Sequence, residues 1–289
     1  MDYGYFGANI GALDNPDAIE AVAVAAEQLG FESIWTGEHV VLIDPQEAPS
    51  PVPPHSPFVD TVTTLAFMAA KTERIKLGSG IILLPQRDPI VLAKELAGVD
   101  VLSKGRLLFG LGVGYVKGEF DALGIPFEER GPRATEHIEV LRTLWTQEQP
   151  SFEGRFTNFS GIQSRPLPVQ KPHPPIIVGG MSPPAIRRAV AQGDGWYGFF
   201  QDLDATAQMI KALEETAKST ERREGLGKLT ISVTPPGYVD ADMARRYEDL
   251  GVDRLVVMRG FGDMANTEAG GHAGIVSFLE KQAKEVGLG

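Results

Sequence analysis

The residue best suited to chemistry is His39, which follows the short apolar run Ser33–Thr36 by way of Gly37 and Glu38. An imidazole beside a carboxylate, one step past a strand end, is placed to move protons near neutral pH. A histidine bonded to loop backbone would show the same letters. Glycines form a second group. Gly78 and Gly80 lie in one apolar run, and Gly110, Gly112 and Gly114 leave another. Glycine weakens a strand interior, so the set implies main chain kept bare for a flat ligand, although any one of them could serve tight packing instead. A third group is Gly179-Gly180-Met181-Ser182, just before Pro183. Free backbone N–H groups, a helix dipole and a hydroxyl would together seat an anion. Ser182 acting only as an N-cap is equally compatible with that spacing.

The elements that carry these residues follow from periodicity. Lys76–Leu83 and Arg106–Leu111 are apolar runs joined by a helical segment that opens at Pro89, which implies parallel strands buried on both faces. Before them, Tyr3–Ala8 is a first strand, Asn15 caps a helix that Gly30 ends, and Ser33–Thr36 is a second strand. A loop with five prolines between Pro45 and Pro54 leads to a helix from Phe58 to Lys71. After Tyr115 comes a polar excursion, and Pro132 starts a helix with Ala134, Ile138, Leu141 and Trp145 on its inner face. The segment from 148 to 174 breaks the pattern and suggests an inserted hairpin. Strands Ile176–Val178, Gly195–Phe199, Leu229–Val233 and Arg254–Met258 then alternate with helices, and a Gly-rich loop precedes the last helix.

Eight strands alternating with eight helices predict an α/β fold, a (β/α)8 TIM barrel, with residues 1–289 as a single domain carrying the hairpin. Sites in such barrels lie at the carboxyl ends of the strands. Here those ends include Gly37–His39, Gly80-Ile81, Gly112–Tyr115 and Gly179-Gly180. Arg87 and Arg259 follow two strands and read as solvated charges, and His55, His137, His173 and His272 read as loop or helix-surface residues without a role.

Composition removes whole classes. The charge of −11 and the lack of any basic run argue against nucleic acid and anionic membranes as partners. The chain has no cysteine, so disulfides, thiolate metal sites and cysteine nucleophiles are all excluded. No apolar run approaches the roughly 18 residues that cross a bilayer, and MDYGYFGANIG lacks the makings of a signal peptide, so a cytoplasmic protein is expected. Lys117 occupies the last glycine position of a dinucleotide fingerprint, and neither GxxxxGK nor GxSxG occurs. What remains suits a flat, phosphate-bearing redox cofactor.

The stretches FESIWTGEH, TERIKLGSGIILLPQRDPIVLAKELAGVDVLSKGRLLFGLGVGY, FDALGIPFEERG and PPIIVGGMS resemble the bacterial-luciferase-like superfamily of flavin and deazaflavin oxidoreductases over nearly the whole chain. WTGEH and GLGVGY are most similar to the branch that uses the deazaflavin coenzyme F-420. The resemblance implies hydride transfer between that coenzyme and a small organic substrate, with FMN as the alternative cofactor, and usually a homodimer. It implies a cis peptide at Gly80–Ile81 beneath the ring system, with Gly112 and Gly114 bordering the same pocket. It also implies a phosphate on Gly179, Gly180, Met181 and Ser182, Glu38 contacting the rings, and His39 as acid/base. Sugar-phosphate dehydrogenases of the branch carry a catalytic glutamate where Tyr115 stands, which puts that substrate class in doubt and leaves Tyr115 as a possible second proton donor. A reduced-FMN-dependent monooxygenase and a non-catalytic flavin-binding barrel are the competing readings.

Overall fold

A computed structural model describes residues 1–260 and 271–288. The first strands are β1 (Asp2–Phe6), β2 (Ser33–Thr36), β3 (Lys76–Ser79), β4 (Ile82–Leu83) and β5 (Leu107–Gly112). A hairpin of β6 (Phe152–Glu153) and β7 (Asn158–Phe159) follows, then β8 (Ile176–Gly179), β9 (Gly195–Phe199), β10 (Thr230–Thr234) and β11 (Arg254–Val257). Apart from the hairpin, all pair in parallel and in chain order, and β1 meets β11 to close a TIM barrel. The nine sheet strands fill eight positions because β3 and β4 share one, both pairing with β5.

The helices form the outer layer. Among the described residues they are α1 (Pro16–Gln28), α2 (Thr61–Lys71), α3 (Pro89–Leu102), α4 (Lys117–Ala122) and α5 (Arg130–Thr146), then α6 (Pro183–Gln192), α7 (Leu203–Ala217), α8 (Ala241–Asp249) and α9 (Gly271–Val286). Short acidic or amide side chains start several of them. Asn15 accepts from Ala18 N, Asp88 from Ile90 N and Val91 N, and Asp240 from Met243 N, each satisfying donors that a helix start leaves orphaned.

Several boundaries differ from the sequence reading. The third strand is not one continuous run, and the cis Gly80–Ile81 peptide that the resemblance implies is present between β3 and β4. The stretch after Tyr115 folds into α4, and α5 begins at Arg130, with Pro132 tolerated inside its first turn. Asp60, not the region of Phe58, starts α2, because its carboxylate accepts from Thr63 N. The Gly-rich loop after β11 lies outside the described residues. Among the described residues no helix is long and apolar enough to cross a membrane.

Two apolar layers hold the barrel. One, between strands and helices, includes Leu65, Leu77, Leu96, Phe109, Leu141 and Val233. The other fills the interior with Phe6, Trp35, Leu108, Ile177, Tyr197 and Val256. Trp35 is fully buried, stacks on Tyr197 at 5.4 Å and donates from Nε1 to Ser33 Oγ at 2.8 Å. This interior corrects part of the glycine reading. A Cβ on Gly78 would stand 2.3 Å from the Trp35 ring, and one on Gly110 would stand 1.9 Å from the Ser79 carbonyl oxygen. Those two glycines make room for neighbours inside the barrel and have no ligand to serve.

The lower rim is tied by Arg106. Its five N–H groups reach Ser103 O, Thr72 Oγ1, Ile75 O, Ala69 O and Thr72 O at 2.7–3.0 Å, joining the ends of α2 and α3 to the starts of β3 and β5. A guanidinium with every donor used is a strong fixed joint.

Candidate active site

The upper rim, where the strands end, opens into a cavity of about 460 Å³. Every site residue chosen from the sequence borders it, from Glu38 and His39 through Gly80, Ile81, Gly112, Gly114 and Tyr115 to Gly179, Gly180, Met181 and Ser182. Phe6, Ile10, Phe58 and Phe199 make most of the remaining wall apolar. Pro51 and Val52, from the proline-rich loop, close one side.

His39 is held by a residue that sequence reasoning did not single out. Its Nδ1 forms a short hydrogen bond with Oε1 of Glu119, at the third position of α4, and Glu119 is only 1% exposed. The His39 ring also meets Phe58 edge-on, with centroids 5.2 Å apart. With Nδ1 engaged by a carboxylate, Nε2 is the nitrogen left to face a ligand, and it has no hydrogen-bond partner among the described residues. The second Glu119 oxygen accepts from Gln86 Nε2 at 3.2 Å. A buried carboxylate behind an imidazole fixes its orientation and favours the tautomer with the proton on Nδ1.

Glu38 lines the cavity as expected, but its carboxylate is already engaged. One oxygen accepts from Nε and Nη2 of Arg87, and the other accepts from Leu83 N, so its carboxylate is committed to β4 and the turn after it. Arg87 also donates to Asp60 at 2.8 Å. Its reading as a solvated charge is therefore corrected, since the side chain is only 19% exposed and bridges two acids. Burial pushes the Glu38 carboxyl above its usual range even against the pull of Arg87. Burial also opposes the Arg87 charge, but Glu38 and Asp60 outweigh it and hold the guanidinium protonated.

Tyr115 sits on the cavity lip, half exposed. Burial of its ring, then the nearby charge of Glu119, raises its pKa, so its hydroxyl stays protonated and able to donate.

Gly112 and Gly179 do border the cavity, but not as bare backbone. A Cβ on Gly112 would lie 1.8 Å from Ile81 Cδ1, and one on Gly179 would lie 3.3 Å from Ile81 Cγ2. The side chain of Ile81 lies across both. The wall is therefore an isoleucine floor supported by glycines, which corrects the expectation of a stripped rim.

The proposed anion seat also needs revision. Pro183 and Pro184 occupy the first two positions of α6 and carry no N–H, which removes two of the donors that a helix start normally offers. Ser182 stands at the N-cap position, but its hydroxyl makes no capping bond and is free for a ligand. Arg130, missed from sequence, adds a cation to the same cavity. Its guanidinium lies 3.8 Å over the Phe127 ring and donates to Phe127 O.

The histidines set aside as surface residues are not all exposed. His137 is buried on α5 and donates from Nδ1 to Leu84 O at 3.3 Å. His173 is buried too, bonded through Nδ1 to Pro174 O, and burial lowers both pKa values. They brace the barrel wall. Among the described residues there is no cluster of acids and histidines that could hold a metal ion.

The sequence profile of the luciferase-like monooxygenases matches residues 4–284. The chain belongs to that family. An uncharacterized protein of Mycobacterium tuberculosis is 31% identical over 82% of this chain and 85% of its own length. An F-420-dependent glucose-6-phosphate dehydrogenase of Kineococcus radiotolerans is 30% identical, covering 75% of this chain and 63% of its own. An FMNH2-dependent dimethylsulfone monooxygenase of Pseudomonas putida is 37% identical, covering 48% of this chain and 38% of its own. Among solved structures, an F-420-dependent secondary alcohol dehydrogenase superposes with a TM-score of 0.76 at 15% identity over 99% of both chains, a likeness of fold. Family membership brings with it oxidoreductase chemistry and a TIM barrel.

Proposed function

We propose that this family member transfers a hydride between the deazaflavin coenzyme F-420 and a small organic substrate, with His39 moving the accompanying proton. The reading is carried by one observation, the buried His39–Glu119 pair in the wall of an apolar cavity at the strand ends. The cavity residues fit such a group. Ile81 offers a flat apolar floor over Gly112 and Gly179, and the free Ser182 hydroxyl with Arg130 supplies a donor and a cation for a phosphate. When bound, a deazaflavin gives or accepts a hydride and does not by itself activate oxygen. The chain's own part is to keep water from the reacting atoms with Phe6, Phe58 and Phe199, and to present a nitrogen of fixed tautomer. For alcohol oxidation Nε2 takes the hydroxyl proton, and for reduction it returns one. Glu119 stabilises the imidazolium that forms on the way. Glu38, with its oxygens engaged, holds the His39 strand end against β4.

A second reading keeps the cavity and changes the cofactor to reduced FMN with oxygen as co-substrate. The 37% identity to the FMNH2-dependent enzyme favours it over a 141-residue stretch. Titration of the purified protein with F-420 and with FMN separates the two. Tight binding of F-420 and weak binding of FMN is the expected result. The reverse, with oxygen-dependent turnover, would overturn the proposal.

A further inference from the structure

Behind His39 lies a second, smaller chamber of about 280 Å³. It shares Gly37, Glu38, His39 and Phe58 with the main cavity, and adds Asp60, Arg87 and Gln86, which do not line the larger one. The charged groups facing it are thus Glu38, Asp60 and Arg87, with His39 in its wall and Glu119 beyond Gln86.

Gln86 is the member whose bonding is incomplete. It is buried, its Nε2 donates to Glu119 Oε2, and its Oε1 is buried with no hydrogen-bond partner among the described residues. Turning the amide over would set its oxygen against the Glu119 carboxylate, acceptor against acceptor, so the charge of Glu119 fixes the orientation. The carbonyl is then left without a donor, which costs about 1–3 kcal/mol unless something supplies one. That the amide is held there against this cost marks its bond to Glu119 as the one the site retains.

We propose that Gln86 is the positioning residue of the His39–Glu119 pair. The inference rests on reading that pair as the acid/base of the enzyme. Gln86 holds one Glu119 oxygen so that the other meets His39 Nδ1. Gln86 thus acts on the imidazole through Glu119 without itself bordering the main cavity.

Two variants and two readouts test this. Gln86→Met keeps length and removes both hydrogen-bonding atoms. Gln86→Glu keeps shape, and its carboxyl can donate to Glu119 only while protonated. In nitrogen-15 NMR of the histidine rings, which needs no coenzyme, Gln86→Met is expected to shift the His39 Nδ1 and Nε2 resonances as the ring loses its fixed tautomer. In single turnover with F-420 it slows transfer about tenfold with coenzyme affinity unchanged. Gln86→Glu is expected to approach wild-type rate at low pH and to lose it as pH rises, a pattern that a purely structural role would not produce. Wild-type His39 ring resonances and rate in both variants would overturn the proposal, and so would a pH-independent defect in Gln86→Glu. If Gln86→Met does not fold, the pH pattern of Gln86→Glu decides. Should the wild-type protein fail to bind F-420, the functional reading falls, while the ring resonances still decide the part played by Gln86.

Discussion

Replacing Glu119 by glutamine keeps the side chain's shape and removes its charge. Glu119 accepts two hydrogen bonds, one from His39 Nδ1 and one from Gln86 Nε2 at 3.2 Å. An amide at this position offers one oxygen and one NH2 group, so one of those donors would face another donor. A hydrogen bond to a charged group contributes roughly 1.5–3 kcal/mol, and about 1.36 kcal/mol is a factor of ten in rate. The pair is buried, with Glu119 at 1% and His39 at 11% exposure, so solvent screening removes little of this. The expected outcome is a ~10- to 100-fold slower single-turnover transfer with F-420, followed by stopped-flow absorbance. Coenzyme affinity should stay within about twofold, because Glu119 is asked only to act on the proton. An unchanged single-turnover rate would refute the reasoning. Loss of coenzyme binding with the rate intact at saturation would instead assign Glu119 to shaping the cavity.

Removing Arg87 tests the network beside it. Arg87→Met leaves the buried Glu38 with only Leu83 N as a donor, and breaking a buried pair from one side costs about 3–5 kcal/mol. Because burial already raises the Glu38 pKa and Arg87 opposes that, the variant's Glu38 protonates more readily still. The deficit should therefore shrink as pH falls, which denaturant melts at about pH 5 and about pH 8 would reveal; an equal deficit at both would exclude the mechanism. At the lower rim Glu32 works in the opposite sense. Burial opposes its charge, yet Arg254 and Lys76 bring its pKa from 4.5 down to about 2. The folded state binds that proton more weakly than the unfolded chain, so the stabilisation is complete above pH 4.5 and is lost as pH falls toward 2. Its size is on the order of 3 kcal/mol, and Glu32→Gln should flatten the acid limb of the stability curve in that window.

The barrel was legible because its signal is repetitive. Apolar runs of strand length, helix starts at Asn15 and Pro89, and glycine stops recur often enough that small boundary errors do not disturb the topology. The rim was legible for the same reason, since strand ends converge once the barrel closes. Pairings across the rim were not. Glu119 is 80 residues from His39, in a polar stretch where nothing local marks one acid as buried. Arg87 is 49 residues from Glu38 and looks like any loop arginine. The glycines misled for a related reason. The bulk that forbids a Cβ at Gly78 and Gly112 belongs to Trp35 and Ile81, and no sequence pattern says which side chain will lie across which strand. Pro184 is plain in the sequence, and its missing N–H already weakens an anion seat at Ser182.

The Arg106 joint has a consequence for how this protein could be altered. Its five bonds gather the floor of the barrel into one knot, and none of its partners belongs to the strand-end loops that frame the cavity. Those loops can therefore be exchanged or lengthened without undoing the tie beneath. A chassis fastened at its base tolerates new ligand preferences at its mouth.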